Sequence, residues 1–219
     1  MREKMNKPYE EAGKIPLHLA DPHHHKDAIG AKMGMWLFLF TEMLLFGGLF
    51  LLYMAYRLQY TQDFIIAAKE LNLMMGTINT IILLTSSLTM ALSIAAIQRG
   101  KKGLAIWMLV STIAFALAFM VIKYFEWSAK IHHGIFPGSP DLMNMANGEI
   151  IFYGLYYSMT GLHALHVIIG VVILSFMLYF LFRNIITKQD YIKLENAGLY
   201  WHLVDLIWIF LYPLFYLIH

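Results

Sequence analysis

The chain of 219 residues contains no cysteine. That absence excludes disulfides, thiolate-held copper, cysteine-ligated iron–sulfur clusters and the C-x-x-C-H attachment of c-type haem. Any metal would have to sit on histidine and carboxylate. Charge is scarce too. Asp, Glu, Lys and Arg make up 14% of the residues, where a soluble globular domain carries about 25%. The net charge of +2 is too small to point to nucleic acid. The first thirty-two residues lack an apolar core followed by a small-residue cleavage site. No cleaved signal peptide is therefore expected, and the first apolar run should serve as the membrane anchor.

What fills the sequence instead is hydrocarbon. Hydrophobic residues account for 59% of the chain, and the mean hydropathy is +0.60. A membrane helix needs about 20 mostly apolar residues to cross a hydrocarbon core of about 30 Å. Five segments qualify, at approximately Met33–Tyr56, Leu73–Ile97, Leu104–Lys123, Ile150–Phe182 and Ala197–Ile218. The fourth exceeds one perpendicular crossing and should tilt or project. The alternation of barrel strands is absent, and a helix satisfies every backbone group within its own span. The expected fold is all-α: a polar tail over residues 1–32, then a bundle of five transmembrane helices over 33–219. The stretch FPGSPDLMNMANG, with Pro137, Gly138 and Pro140, marks the connection from about Tyr124 to Glu149 as a turn-rich loop.

Lysine and arginine set the orientation. The tail holds Arg2, Lys4, Lys7, Lys14, Lys26 and Lys32, and two short connections hold Arg99, Lys101, Lys102, Arg183, Lys188 and Lys193. These twelve share one side. The opposite side carries only Arg57, Lys69, Lys123 and Lys130. The N-terminus is thus expected inside and the C-terminus outside.

A few ionisable groups interrupt the oil. Within MWLFLFTEMLLFGGLFLL stands Glu42; the fourth span holds His163 and His166, the fifth His202 and Asp205, and Glu126 follows the third near Lys123. Such residues are functional-site candidates because a central charge costs about 2.5–3.5 kcal/mol on insertion scales. His163 and His166, three apart, share a helix face, as do His202 and Asp205. Gly161 and Gly170 leave room beside the pair for another helix, and Gly47 and Gly48 are equally small near Glu42. The second span supplies Asn79, Thr80, Thr85, Ser86, Ser87 and Thr89 for a polar seam. Two histidines a turn apart with a third and a carboxylate form a conceivable metal set, but interhelical hydrogen bonding is the expectation. The His23–His25 tract, with His18 upstream, is weak warrant for a metal. His132 and His133 should be solvated or interfacial.

Five stretches fall in a telling order: AKMGMWLFLFTEMLLFGGLF, GTINTIILLTSSLTMA, YFEW, MTGLHALHVIIG and ENAGLYWHLVDLIWIFLYPLFYL. Together they closely resemble subunit III of the haem-copper (cytochrome c oxidase) family, in its shorter five-helix form. The resemblance covers about Ala31 to the C-terminus. It implies a subunit with no haem, copper or other metal of its own, embedded in a bacterial plasma membrane. Its partners would be subunit I directly, then subunit II, small subunits and a respiratory supercomplex, with no nucleic acid. The partner subunits would hold the haems and copper, reduce oxygen to water and pump protons. This chain would bind phospholipid, shield the core and assist proton and oxygen access. Glu42 sits at the glutamate of the family's S/T-E-x-x-x-F motif, His163 and His166 match G-x-H-x-x-H-V, His202 and Asp205 match W-H-x-V-D, and Glu126 matches the acidic position after the third span. Glu42 is expected to face the bundle as a neutral, hydrogen-bonded carboxyl, bonded to a histidine of the pair or to a second-span hydroxyl. Arg57, Lys69, Arg99, Lys101, Lys102 and Arg183 are head-group candidates, since basic groups beside spans favour anionic lipid by about 1 kcal/mol each. Two competing readings are a helper of a nitric oxide reductase and an independent proton or ion carrier. The sequence does not distinguish cytochrome c from quinol as electron donor.

Overall fold

A computed structural model describes residues 22–218, with side chains from Gly30 onward. His18 and the side chains of His23–His25 lie outside the described residues. The described residues form seven helices in order: α1 Pro22–Gln59, α2 Thr61–Lys69, α3 Leu73–Gln98, α4 Lys102–His132, α5 Pro140–Met143, α6 Asn147–Phe182 and α7 Ile192–Tyr216. There is no strand among the described residues. The chain forms two compact units, Met1–Phe38 and Leu39–His219. The described part of the first is the N-terminal stretch of α1. Among the described residues, five helices are long and apolar enough to cross a membrane: α1 from Gly30, α3, α4, α6 and α7.

The second unit is organised around α7, which packs on α3 and α6, while α3 and α4 pair closely as an antiparallel hairpin. Small residues permit that approach: Ala105, Thr112 and Ala116 of α4 are fully buried. Across the hairpin the Thr89 and Thr112 hydroxyls lie 2.8 Å apart, and Ser93 donates to the Ala105 carbonyl at 2.8 Å. Gly100, at φ +73°, turns the chain between the two helices, a conformation that costs a residue with a Cβ. Lys102 at the start of α4 donates to the Phe182 carbonyl and to Asn184 Oδ1, at 3.3 and 2.7 Å. It thereby satisfies an acceptor that the end of α6 leaves open.

The turn-rich connection starts later than the sequence suggests. Third-span helix continues past Lys123 to His132, because nothing in YFEWSAKIH breaks a helix; Gly134, at φ +73°, ends it. Glu126 and Lys130 are therefore helical side chains aimed into the bundle. The sequence reading also placed no helix between the first two spans. The nine-residue α2 is too short to cross a membrane but buries Phe64, Ala67 and Ala68. It lies on α6, where Asp63 Oδ2 accepts from the Gly148 N–H at 3.1 Å, capping from a distance a helix whose own preceding residue, Ala146, provides no side-chain cap. Tyr53, Phe64, Phe152, Tyr156 and Phe215 interlock edge-to-face with ring centroids 5.1–5.6 Å apart, a geometry aromatic rings prefer.

Close approach of α6 and α7 depends on Gly170, where a Cβ would lie 2.6 Å from the buried Trp201 ring. Gly170→Ala should destabilise the protein by about 1–3 kcal/mol through overpacking. It should lower the thermal unfolding midpoint in detergent, whereas Gly154→Ala, with nothing within 4 Å, should leave it unchanged or higher.

Candidate functional site

The ionisable residues picked out in the sequence do not converge on one point. They divide into three polar centres, each held by a different combination of helices.

The first joins α1 to α6. Glu42 Oε2 lies 3.0 Å from His166 Nε2, and the other ring nitrogen, Nδ1, lies 2.8 Å from the Leu162 carbonyl oxygen. A carbonyl only accepts, so Nδ1 carries a proton and donates. Two bare acceptors at 3.0 Å would repel, so one proton occupies the Glu42–His166 contact whichever group holds it. The pair is neutral overall in either arrangement. Both side chains remain slightly accessible, at 15% and 11%. Phe46 lays its ring against His166 at 5.4 Å. It also lines an apolar groove of about 190 Å³ with Met43, Gly47, Phe50, Leu206 and Phe210.

The second centre is a ladder between α3 and α7. Thr77 meets Tyr212 at 2.7 Å, Thr80 accepts from Trp208 Nε1 at 3.1 Å, Ser86 accepts from Trp201 Nε1 at 3.1 Å, and Ser87 meets His202 Nδ1 at 2.8 Å. Asp205 lies in the same seam beside the Ser87 hydroxyl, 3% exposed, and neither carboxyl oxygen completes a hydrogen bond in good geometry among the described residues. Thr85 turns back to the Ile81 carbonyl instead of joining the seam.

The third centre was only half visible in the sequence. Lys123 and Glu126, one turn apart on α4, pair at 3.0 Å and are 2% and 3% exposed. Lys123 also donates to Tyr156 at 3.1 Å and Tyr216 at 2.8 Å, while Glu126 Oε1 accepts from the same two hydroxyls at 2.7 and 2.5 Å. The ammonium lies 5.1 Å from the Trp208 ring. Lys130, one turn further on, donates to the Glu70 carbonyl at 3.2 Å. Tyr156 and Tyr216 went unselected because tyrosine near a span end usually anchors at the lipid interface. Their full burial is the signal, since a buried phenol needs a partner. His163 belongs to this level and not to Glu42. It packs on Phe119 and Trp208 at 5.6 and 5.1 Å.

The described residues include no group of three or more His, Cys, Asp or Glu placed to hold a metal ion. Of the basic head-group candidates, Lys69, Arg99, Lys101 and Arg183 are exposed and Arg57 is half-buried. Lys102 is committed to the end of α6. His132 and His133 are exposed.

With this arrangement in hand, comparison with known proteins is specific. The profile of the family described as cytochrome c oxidase subunit III matches residues 18–219. The chain belongs to the cytochrome c oxidase subunit III family. Similar proteins include a cytochrome c oxidase subunit 3 of Alkalihalophilus pseudofirmus, 33% identical over 84% of this chain and 85% of that one. A probable quinol oxidase subunit 3 of Staphylococcus saprophyticus is 30% identical over 85% and 88%. A heme-copper oxidase subunit I+III of Aeropyrum pernix is 31% identical over 88% of this chain but only 23% of its own length. The chain thus spans about a quarter of that last relative and most of the other two. Family membership and five apolar helices make it an integral membrane protein.

Two outcomes follow from the geometry. A hydrophobic carbodiimide should label Glu42, which is reachable from the hydrocarbon and shares a proton, but spare Glu126, which is 3% exposed and ion-paired with Lys123. Peptide mapping of labelled wild type against Glu42→Gln checks this; equal labelling would put the site elsewhere. Lys123→Met should cost about 3–5 kcal/mol, since it strands a buried carboxylate, whereas Lys123→Met combined with Glu126→Gln should recover at least half of the lost unfolding midpoint.

Proposed function

We propose that this chain is the non-redox subunit III of a proton-pumping haem-copper terminal oxidase of the cytochrome c oxidase type, which reduces oxygen to water in aerobic respiration. The single observation that carries the reading is the subunit III match across nearly the whole bundle. Haems and copper belong to the partner subunits. Subunit I is the direct neighbour, a reading supported by the Aeropyrum relative, whose name joins subunits I and III. Subunit II, small subunits and a respiratory supercomplex are the wider assembly. The membrane is the bacterial plasma membrane, with the N-terminus inside, as the excess of Lys and Arg on that side favours.

Phospholipid binding fits the same reading. The groove between α1 and α7 is almost wholly apolar, the chemistry that suits an acyl chain. Exposed Arg99, Lys101 and Arg183 lie at one end of the bundle and Arg57 and Lys69 at the other, near the levels where head groups sit. The neutral Glu42–His166 pair beside the groove serves proton-related support of the core without introducing a net charge into the hydrocarbon.

Mild detergent extraction of the tagged chain from its own membranes tests the assignment. It should bring down a haem-bearing subunit I with a haem visible spectrum and oxygen-consuming activity. Consumption of nitric oxide but not oxygen would transfer the chain to a reductase complex. A chain that elutes alone and conducts protons in liposomes would replace the subunit reading with a carrier.

A further inference from the structure

The level of the bundle around Lys123 contains more buried polar atoms than protein partners. His163 is fully enclosed, yet neither ring nitrogen is hydrogen-bonded by a described residue. The same holds for the amide nitrogen and oxygen of Asn79. The two sit at one depth. His163 and the Lys123 ammonium each lie 5.1 Å from the Trp208 ring. Contacts of Thr89 with Thr112 and Ser93 with Ala105 fix the antiparallel register of α3 and α4. That register sets Asn79 level with the turn from Phe119 to Lys123. Its chain neighbour Thr80 holds the Trp208 N–H.

Proteins rarely leave such groups unpaired, because water makes up what side chains do not. Access exists on one side. Glu126 and Lys130 form part of the wall of a pocket of about 230 Å³, together with Glu70, Asn72, Met75 and His133. Liquid water takes about 30 Å³ per molecule, so the pocket holds several. The groups around Glu126 are Lys123 and Lys130 of α4, Tyr156 and Tyr157 of α6, Tyr216 of α7, Glu70 after α2 and His133 after α4. This neighbourhood of amines, carboxylates and phenols can donate to or accept from water at every step inward.

We propose that this level is an internal water-binding site, separate from the Glu42–His166 pair. Ordered water enters from the pocket past Glu126 and Lys130, reaches Lys123, and supplies the hydrogen bonds of His163 and Asn79. The bundle is therefore hydrated from its α2 end to at least the depth of Trp208, and it is dry at the level where Met90 packs against Gly198.

Hydroxyl-radical footprinting by X-ray pulses tests this on the chain in the intact complex purified from its membranes, because radicals form from bound water in place. Tyr216, Trp208 and His163 should be oxidised at least tenfold faster than Met90. Met90 is as fully buried and intrinsically more reactive, so the comparison is conservative. Rates at all three no higher than at Met90 would overturn the proposal. Asn79→Leu, which replaces the amide with an apolar group of similar size, should lower labelling of His163 threefold or more and leave exposed Tyr124 unchanged; unaltered His163 labelling would equally count against it. Should that variant fail to assemble, the wild-type comparison with Met90 decides by itself.

Discussion

Hydrocarbon offers no hydrogen bonds, and the rest of this structure follows from that one constraint. Each polar side chain carried into a span must find a partner inside the protein or cost several kcal/mol. Hydroxyls on α3 therefore lie opposite phenol, indole and imidazole groups on α7 over about three turns, from Thr77–Tyr212 to Ser87–His202. Glu42 finds His166, and Lys123 finds Glu126 and two phenols. The lipid-facing surface holds what needs no partner: Leu51, Leu58, Trp107 and Met74 are all more than two-thirds exposed. In water such a surface would aggregate; in a bilayer it is the expected exterior.

Packing makes these polar contacts possible. Membrane helices gain little from hiding apolar surface, so they associate through close van der Waals fit and internal hydrogen bonds. Gly76, Gly170 and Gly198 let the side chains Tyr216, Trp201 and Ile94 press directly on backbone. These contacts bring α7 near enough to α3 and α6 for its indoles and phenol to reach across. Aromatic residues then act twice, as bulk that fills the core and as donors at its polar points. Trp208 is the clearest case: it packs on Phe119 and His163, faces Lys123 and donates to Thr80.

The polar centres bear on the subunit reading in different ways. Glu42 and His166 bridge α1 to α6 beside an apolar groove, so a change in lipid or in a neighbouring helix can be felt at a proton-bearing contact. Lys123 and Glu126 are buried and tie α4 to the phenols of α6 and α7, where a buried ion pair adds little net stability. Membership of the subunit III family gives both centres a membrane context, where neutral, internally paired ionisable groups cost less than isolated charges.

Span number, helical class and family were legible in the sequence because each rests on local information. A run of about 20 apolar residues has no other stable fate in a bilayer, and the motif order from AKMGMWLFLFTEMLLFGGLF to ENAGLYWHLVDLIWIFLYPLFYL survives without any three-dimensional knowledge. That the embedded acids and histidines would need partners inside the protein was legible for the same reason. Their pairing was not. His163 and His166 share a helix face, yet tertiary packing sends one to an aromatic box beside Lys123 and the other to Glu42. The continuation of α4 to His132 and the capping of α6 by Asp63 likewise needed the fold. Composition determines which groups must be satisfied in oil. Only the assembled helices decide by whom, because hydrogen bonds reach about 3 Å and nothing in spacing along a chain fixes distance between separate helices.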